Sequence, residues 1–238
     1  MKILITGATG FIGFHLARTL YKQGHEIVAA ARSPHLWQSK YPVFQWISCD
    51  FRQDIKAEHW ATRLESIDLV INAVGIIHED QPDDFEVIQS LAPQALFTAA
   101  AERKKRIIQI SAMGAELPEV KEKFLATKRR ADQFLLQLDA EAVIFYPSIV
   151  IGRGGTSTAL FNQMAASPVI PLMGRGQHKI QPLHIEDLCH QVAHVVQHWP
   201  SEKATYMLVG PTALTMKELY ALLRDWMRLK PAIYLPMP

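Results

Sequence analysis

The sequence has few cysteines, little net charge and no long apolar run. Its two cysteines, Cys49 and Cys189, lie far apart and without metal-ligand spacing. This predicts reduced thiols in a cytoplasmic protein, with neither a disulfide framework nor a metal site. Lysine and arginine total 25 against 23 acidic residues, which gives no reason to expect a nucleic-acid partner. No run approaches the ~18 apolar residues of a membrane helix, so we expect no membrane span.

Three glycines stand at regular spacing near the start of the chain. Lys2–Thr6 is a short, β-branched apolar run, which predicts a buried strand. Gly7, Gly10 and Gly13 follow, and Phe11–Lys22 has the periodicity of an amphipathic helix. This arrangement directs helix N-terminal amides and the positive end of the helix dipole at a bound pyrophosphate. The alternative is a tight strand-to-helix turn that binds no ligand.

Apolar segments alternate with helical patterns through the first 150 residues. Strands are predicted at 2–6, 26–31, 43–48, 67–73, 106–111 and 141–146, and helices at 11–22, 54–64, 84–103 and 122–138. Pro93 should kink or break the third of these helices. Five to six such units predict an α/β fold with a doubly wound parallel sheet.

The pattern becomes less regular after Gly152. Helices are predicted at 158–166 and 184–198, a turn at 172–179, a strand at 205–210, and a helix that begins at a Thr215–Glu218 capping box. We predict a core domain at 1–152, which later elements can join, and a small, partly interleaved C-terminal region at 153–238. The apolar tail 231–238 should pack on its own small domain or on a partner; the alternative is a frayed terminus.

The segment T-G-A-T-G-F-I-G at 6–13 resembles the fingerprint of the extended and atypical short-chain dehydrogenases/reductases, a family that includes nucleotide-sugar epimerases. The resemblance continues in I-S-A-M-G-A (110–115), F-L-A-T-K-R-R-A-D (124–132), Y-P-S-I-V-I-G (146–152) and Q-P-L-H-I-E-D (181–187). Together these segments are similar to an atypical branch with the NADPH-binding accessory subunit of respiratory complex I and bacterial epimerase-like proteins. The resemblance implies a Rossmann fold with a small C-terminal substrate-side subdomain, and a nicotinamide dinucleotide as cofactor.

The resemblance also implies which residues bind that cofactor. Ala31 stands where NAD-binding relatives carry an acidic residue, and Arg32 follows it; a guanidinium suits a 2′-phosphate, so we predict NADP(H) over NAD(H). The alternative is a surface arginine. Asp50 should meet the adenine amine and Phe51 should pack on its ring, although an Asp after a strand is also a common turn former. The predicted cofactor-binding residues are Gly7, Thr9, Gly10, Phe11, Ile12, Gly13, Arg32, Ser33, Asp50, Phe51, Ala73, Val74, Gly75, Ser111, Lys128, Pro147 and Ile149.

The catalytic residues implied by the resemblance are incomplete in this chain. The family's reaction uses a Tyr as acid or base and a Lys four residues later, and here these positions are Phe124 and Lys128. A phenyl ring has no exchangeable proton and cannot do the work of the hydroxyl. The family's serine position falls on Met113. The candidate catalytic residues are therefore Lys128, Ser111, His78 and Tyr146, although a loop histidine such as His78 is often merely solvated.

Two classes of function follow from this pattern. The first is an NADP(H)-holding module with a structural, sensory or assembly role. The second is an NADPH-dependent reductase or isomerase that uses another proton donor; sugar-nucleotide epimerisation depends on the hydroxyl that is missing. The sequence names no small-molecule substrate, and both a membrane-associated partner and a missing C-terminal segment are compatible with it.

Overall fold

The computed structural model describes residues 1–237, without the side chain of Arg175. The strands are β1 Lys2–Thr6, β2 Glu26–Ala31, β3 Gln45–Ser48, β4 Leu69–Asn72, β5 Arg106–Ile110, β6 Ala142–Pro147, β7 Val150–Ile151, β8 Val169–Met173, β9 Lys179–Ile180, β10 Leu183–His184, β11 Ala204–Leu208, β12 Leu214–Thr215 and β13 Ile233–Met237. The α-helices are α1 Phe11–Lys22, α2 His35–Gln38, α3 Asp84–Glu86, α4 Ala92–Glu102, α5 Lys123–Gln137, α6 Thr156–Ala166, α7 Ile185–Gln197 and α8 Met216–Trp226. Within the described part of the chain, no helix combines the length and the apolar character needed to cross a membrane.

The first compact unit, Met1–Tyr146 with Cys189–Met207, is built on a seven-stranded sheet. Its strand order is β11-β6-β5-β4-β1-β2-β3, and β1 to β6 pair in parallel. This order confirms the predicted doubly wound Rossmann architecture. The winding reverses between β1 and β4, and ligands of such sheets bind outside the carboxyl ends of the strands at this switch point.

The strands are apolar because both faces of the sheet are covered. One core cluster contains Leu4, Val28, Val70, Ile107 and Ile144, one residue from each of five neighbouring strands. All five side chains are at most 2% exposed. The sheet is therefore a rigid platform that holds the loops at its carboxyl edge.

The helix predicted at 54–64 is wrong. The segment forms two short 3₁₀ helices, Ala57–Trp60 and Thr62–Leu64. Trp60 is fully buried, and its indole Nε1 donates to the Asp54 carbonyl at 3.1 Å. In a regular α-helix the Asp54 carbonyl would accept a backbone N–H, but here it accepts the indole N–H of Trp60 instead.

The helix predicted at 84–103 is interrupted before Pro93, as expected. Between α3 and α4 lies a π-helical turn, Val87–Leu91. Because Pro93 has no N–H, the carbonyl four residues earlier lacks its helical donor, and a wider turn accommodates the ring. This turn matters for the site, because it directs the Gln89 side chain inward.

The second compact unit contains Pro147–Leu188 and the residues from Leu208 onward. Its β8 and β13 pair in parallel, and Ile170, Leu172 and Tyr220 form the centre of its core. The predicted turn at 172–179 is therefore wrong at its start, because β8 continues to Met173. The pairing also shows that residues 233–237 of the tail pack on their own unit, whereas Pro238 lies outside the described residues.

Two further predictions concern this unit. The Thr215–Glu218 capping box is confirmed, since the Thr215 Oγ1 accepts from the Glu218 N–H at 3.2 Å and the Glu218 carboxylate accepts from the Thr215 N–H at 2.7 Å. The compact units divide after Tyr146, Leu188 and Met207. The predicted domain boundary at residue 152 stays a prediction.

Candidate functional site

The glycine turn between β1 and α1 is closely packed at two of its three glycines. Gly7 has a φ of +70°, and a Cβ there would lie 2.7 Å from the carbonyl oxygen of Ala73. A Cβ at Gly13 would lie 2.2 Å from the Gly7 carbonyl oxygen. Gly10 donates its N–H to that oxygen at 2.9 Å, and a Cβ there would be 3.2 Å away. Side chains are therefore excluded most strictly at Gly7 and Gly13.

The N-terminus of α1 is open to an anion. Thr9 and Gly10 are exposed, whereas Phe11 and Ile12 are half-buried. Among the described residues, no side chain caps this helix, and its first turn carries no acidic residue. The N–H groups of a first turn lack intrahelical acceptors, and the helix dipole is positive at this end. A phosphate placed here would meet donors and no competing carboxylate.

The end of β2 presents a cation without a carboxylate. Ala31 is buried at the last position of the strand, and Arg32 follows it on the surface. Within residues 1–237, the Arg32 guanidinium makes no hydrogen bond or ion pair. The half-buried Ser33 begins a turn, in which its carbonyl accepts from the Leu36 N–H at 3.2 Å.

Asp50 and Phe51 have local packing roles at the end of β3. Asp50 Oδ1 accepts from the Arg52 N–H at 3.1 Å, as a turn former would, and its contact with the adenine amine stays a prediction. Phe51 is 5% exposed, and its ring packs edge-on against Trp60 with centroids 5.8 Å apart. Most of the Phe51 ring therefore belongs to the core, which leaves little of it to contact an adenine.

A buried polar chain joins the carboxyl ends of β1, β4 and β5. Thr6 Oγ1 donates to Asn72 Oδ1 at 2.6 Å, and Asn72 Nδ2 donates to Gln109 Oε1 at 2.7 Å. Asn72 Oδ1 also accepts the Val74 N–H at 3.3 Å, and the Ala73 N–H bonds to the Thr6 carbonyl. These bonds fix the path of the small-residue loop after β4. Sequence reasoning missed them, although Thr6 and Asn72 each end an apolar run and Gln109 interrupts one.

Lys128 lies in the interior and faces the loop after β4. It is 5% exposed, and its Nζ is 3.3 Å from the position that a Cβ on Gly75 would occupy. The ring of Phe124, one turn earlier on α5, has its centroid 5.9 Å from this nitrogen. Burial lowers the pKa of Lys128, and the negative charge of Asp132 opposes that shift. Among the described residues the ammonium makes no hydrogen bond.

Ser111 and Asp132 form a short hydrogen bond beside Lys128. Ser111 Oγ donates to Asp132 Oδ2 at 2.5 Å, and Asp132 is only 1% exposed. Burial raises the pKa of Asp132 to about 6, against the opposing effects of Ser111 and Lys128. Sequence reasoning missed Asp132; its signal was an acidic residue one helical turn after the lysine, on the same face of α5.

The other two candidate proton donors do not join this cluster. The side chain of His78 is 76% exposed and pairs with Asp80 at 3.3 Å. Tyr146 is 4% exposed within the core, where burial raises its pKa above the usual range. A phenol that holds its proton this tightly is a poor general acid near neutral pH.

The two remaining predicted cofactor-binding residues, Pro147 and Ile149, lie in the second compact unit. Pro147 is buried, and the exposed Ile149 accepts from the Leu183 N–H at 2.9 Å through its carbonyl. Their contacts with a cofactor stay predictions. Over the described residues, no group of three His, Cys, Asp or Glu side chains could hold a metal ion.

The fold and the glycine turn agree with a family model. The model of the NAD dependent epimerase/dehydratase family matches residues 3–210. The chain belongs to this family. The match includes the glycine turn, the Ser111–Asp132 pair and Lys128.

Several proteins are similar to this member of the epimerase/dehydratase family. The mitochondrial NADH dehydrogenase [ubiquinone] 1 alpha subcomplex subunit 9 of Arabidopsis thaliana is 28% identical over 253 residues, covering 98% of this chain and 60% of that protein. Ceramide reductase of Caulobacter vibrioides is 28% identical over 189 residues, covering 78% of this chain and 57% of that protein. The chain thus spans less than two thirds of the length of these relatives.

Solved structures of epimerases and dehydratases share the fold. UDP-glucuronic acid 4-epimerase from Bacillus cereus, in complex with UDP-glucuronic acid and NAD, superposes with a TM-score of 0.82 at 20% identity over 100% of this chain and 86% of that one. dTDP-glucose 4,6-dehydratase from Bacillus anthracis, in complex with NAD, gives 0.80 at 16% identity over 100% and 85%. At such identities the likeness concerns the fold alone.

Proposed function

We propose that this protein is a member of the epimerase/dehydratase family that binds NADP(H) and catalyses little turnover, because Phe124 replaces the family's catalytic tyrosine. The observation that carries the proposal is the glycine turn at the switch point of the sheet, where the uncapped start of α1 can receive a pyrophosphate. The buried Lys128 beside Gly75 supports it, since an ammonium there can bind the nicotinamide ribose.

The preference for NADP(H) rests on the end of β2. A carboxylate at Ala31 would repel a 2′-phosphate, and the chain has none there. Arg32 is exposed and unpaired within the described residues, so its guanidinium can form charge-assisted hydrogen bonds with that phosphate.

Affinity measurements with both dinucleotides test the proposal. Arg32→Ala should weaken NADPH binding by about 1.5–3 kcal/mol, the scale of a charged hydrogen bond, and leave NADH almost unchanged. Lys22→Ala removes an exposed cation at the opposite end of α1 and serves as the control. Equal affinities of the unaltered protein for NADPH and NADH would contradict the preference, and no binding of either would contradict the function.

The low turnover follows from Phe124. In the family a tyrosine precedes the lysine by four residues, and here a phenyl ring occupies that position, 5.9 Å from the Lys128 ammonium. Loss of general acid–base catalysis costs about 10²–10⁴-fold in rate. Lys128→Ala should weaken nucleotide binding, whereas Phe124→Tyr should leave it nearly unchanged. Equal losses of affinity in both variants would show that the helix, rather than the ammonium, is being disturbed.

A reductase is the second candidate function. The Ser111–Asp132 pair favours it, because a buried carboxyl with a pKa of about 6 can exchange a proton near neutral pH. The similarity to ceramide reductase supports the same alternative. Sustained NADPH oxidation by the unaltered protein with a small carbonyl or quinone substrate would decide for the reductase and against the binding module.

The binding module, in turn, has a structural, assembly or redox-sensing role. Its support is the similarity to a subunit of the mitochondrial NADH dehydrogenase.

We place the protein in the cytoplasm; both cysteines are buried, and among the described residues neither forms a disulfide.

A further inference from the structure

Two charged residues are buried on one face of α5. Lys128 is 5% exposed and Asp132 is 1% exposed, and they lie one helical turn apart. Residues at this spacing are neighbours on a helix. Burial of a charge is costly unless an opposite charge or hydrogen bonds compensate it. Asp132 and Lys128 therefore have to be considered together.

Hydrogen bonding satisfies Asp132 only in part. Its Oδ2 accepts from Ser111 Oγ at 2.5 Å, but its Oδ1 is buried and has no hydrogen-bond partner among the described residues. The amide of Gln109 adds only a weaker stabilisation of the charged form. A neutral side chain of the same shape would cost less free energy to bury here. A positive charge with which the carboxylate interacts would offset this cost.

Three other charged or titratable groups lie on the elements around the pair, and Glu116 is the one among them that acts on Asp132. Glu116, in the segment after β5, adds a negative charge, and Tyr146 on β6 is an un-ionised phenol with a raised pKa. Arg129 on α5 directs its Nε to the Leu117 carbonyl at 2.6 Å. Among the described residues the Lys128 ammonium and the Asp132 carboxylate are not within 4.0 Å of each other, so they act through space rather than as a contact ion pair. The charge of Lys128 favours the ionised form of Asp132, and the charge of Asp132 opposes the loss of the Lys128 proton.

We propose that Asp132 is a positioning residue of the dinucleotide site, whose buried carboxylate keeps the Lys128 ammonium charged and fixes the Ser111 hydroxyl. The inference rests on the proposed function, in which Lys128 binds the cofactor. An ammonium offers three donors and a positive charge, whereas the neutral amine that burial favours offers less of both. Dinucleotide affinity should therefore fall as the pH rises through the pKa of Lys128.

The titration of Lys128 in the nucleotide-free protein tests the charge pair directly. NMR of ¹³C-lysine-labelled full chain follows its Cε signal, identified by its loss in Lys128→Arg. In Asp132→Asn the Lys128 pKa should fall by about 1 pH unit or more, the scale of one lost neighbouring charge. Asp132→Glu should restore it, and Asp139→Asn makes the same chemical change at an exposed position and should leave it unmoved.

The unaltered protein supplies a measurement that does not depend on whether Asp132→Asn folds. Its Lys128 signal should show a second, smaller inflection near pH 6, where Asp132 takes up a proton. A Lys128 titration that lacks this inflection, or that is the same in Asp132→Asn as in the unaltered protein, would overturn the inference.

Affinity for NADPH as a function of pH then links the pair to the ligand. The alkaline loss of affinity should move to lower pH in Asp132→Asn by the same amount as the Lys128 pKa, and should disappear in Lys128→Arg. Binding whose alkaline limb does not move in Asp132→Asn overturns the inference and leaves the proposed function standing. No NADPH binding by the unaltered protein at any pH overturns the proposed function, and with it the place of Asp132 in a dinucleotide site.

Discussion

At the scale of single residues, Gly10 and Gly13 belong to the same repeat but differ in what they tolerate. A Cβ at Gly13 would lie 2.2 Å from a backbone oxygen of the turn, and one at Gly10 would lie 3.2 Å from it at an ordinary φ of −81°. Periodicity alone treats the two as equivalent. The packing of α1 onto the turn distinguishes them.

Gly13→Ala should therefore lower the free energy of unfolding by about 1–3 kcal/mol or more, because the helix must move off the turn. NADPH binding should be lost with it, since the first-turn amides would move. Gly10→Ala is the matched control and should cost less than about 1 kcal/mol. Urea denaturation of the two variants measures the difference, and equal losses would contradict the packing argument.

At the scale of elements, the π-helical turn before α4 links three parts of the first unit through Gln89. This side chain is 2% exposed; its Oε1 accepts the Ile76 N–H at 3.1 Å, and its Nε2 donates to Thr127 Oγ1 at 3.2 Å and to the Phe124 carbonyl at 3.3 Å. The loop after β4 is thereby tied to α5, the helix that carries Lys128.

Gln89→Ala should lower the free energy of unfolding by about 2–3 kcal/mol, because it leaves buried groups unpaired and opens a cavity. Hydrogen exchange at the Ile76 amide should become faster. Gln94→Ala removes a glutamine of the same helical stretch whose side chain, among the described residues, bonds to Ser90 Oγ alone, and should cost less than about 1 kcal/mol. An Ile76 amide that stays protected in Gln89→Ala would contradict the proposal that Gln89 links the loop after β4 to α5.

In the second unit, the buried Arg224 of α8 connects neighbouring segments through hydrogen bonds to three backbone carbonyls. Its Nη1 donates to Ala165 at 2.5 Å and Ser167 at 2.6 Å, and its Nε donates to Lys230 at 2.7 Å. Arg224→Met should destabilise this unit by about 2–4 kcal/mol, because the carbonyls lose a charged donor. Arg228→Met is the exposed control. Hydrogen exchange in β8 and β13 measures the effect, and unchanged protection would count against it.

At the scale of the whole molecule, Asp132 makes stability depend on pH. Its folded-state pKa of about 6 lies above the ordinary value of 3.8, so the folded protein binds this proton more tightly than the unfolded chain. The stabilisation is fully present below about pH 4 and is lost as the pH rises through 6. A shift of this size corresponds to about 3 kcal/mol.

Urea denaturation between about pH 4 and pH 7 tests this sign. The unfolding free energy of the unaltered protein, minus that of Asp132→Asn, should fall by about 3 kcal/mol as the pH rises across this window. Arg52 holds the pKa of Asp84 well below its usual range, so the contribution of Asp84 is lost only in stronger acid and cancels in the comparison. A difference that does not change with pH would refute the assignment.

Local sequence patterns were enough to predict the strand–glycine turn–helix unit at the start of the chain and the parallel class of the sheet. β1, α1 and β2 have the bounds predicted for them, because apolar periodicity and glycine spacing are local properties of the chain. The alternation of strands and helices then restricted the topology, since crossovers between parallel strands are right-handed. Lys128 was predicted differently, from the resemblance of residues 124–132 to the family's motif.

The three-dimensional structure was needed to show which polar residues are buried and which distant segments pair. Asn72, Gln89 and Asp132 are polar residues whose hydrogen-bond partners lie on other elements, so their burial could not be deduced from the local sequence. The same holds for β8, whose partner β13 begins 64 residues after it in the register Val169 to Ile233. Local patterns specify an element, but the free energy of burying a polar group or an edge strand depends on what the rest of the chain brings next to it.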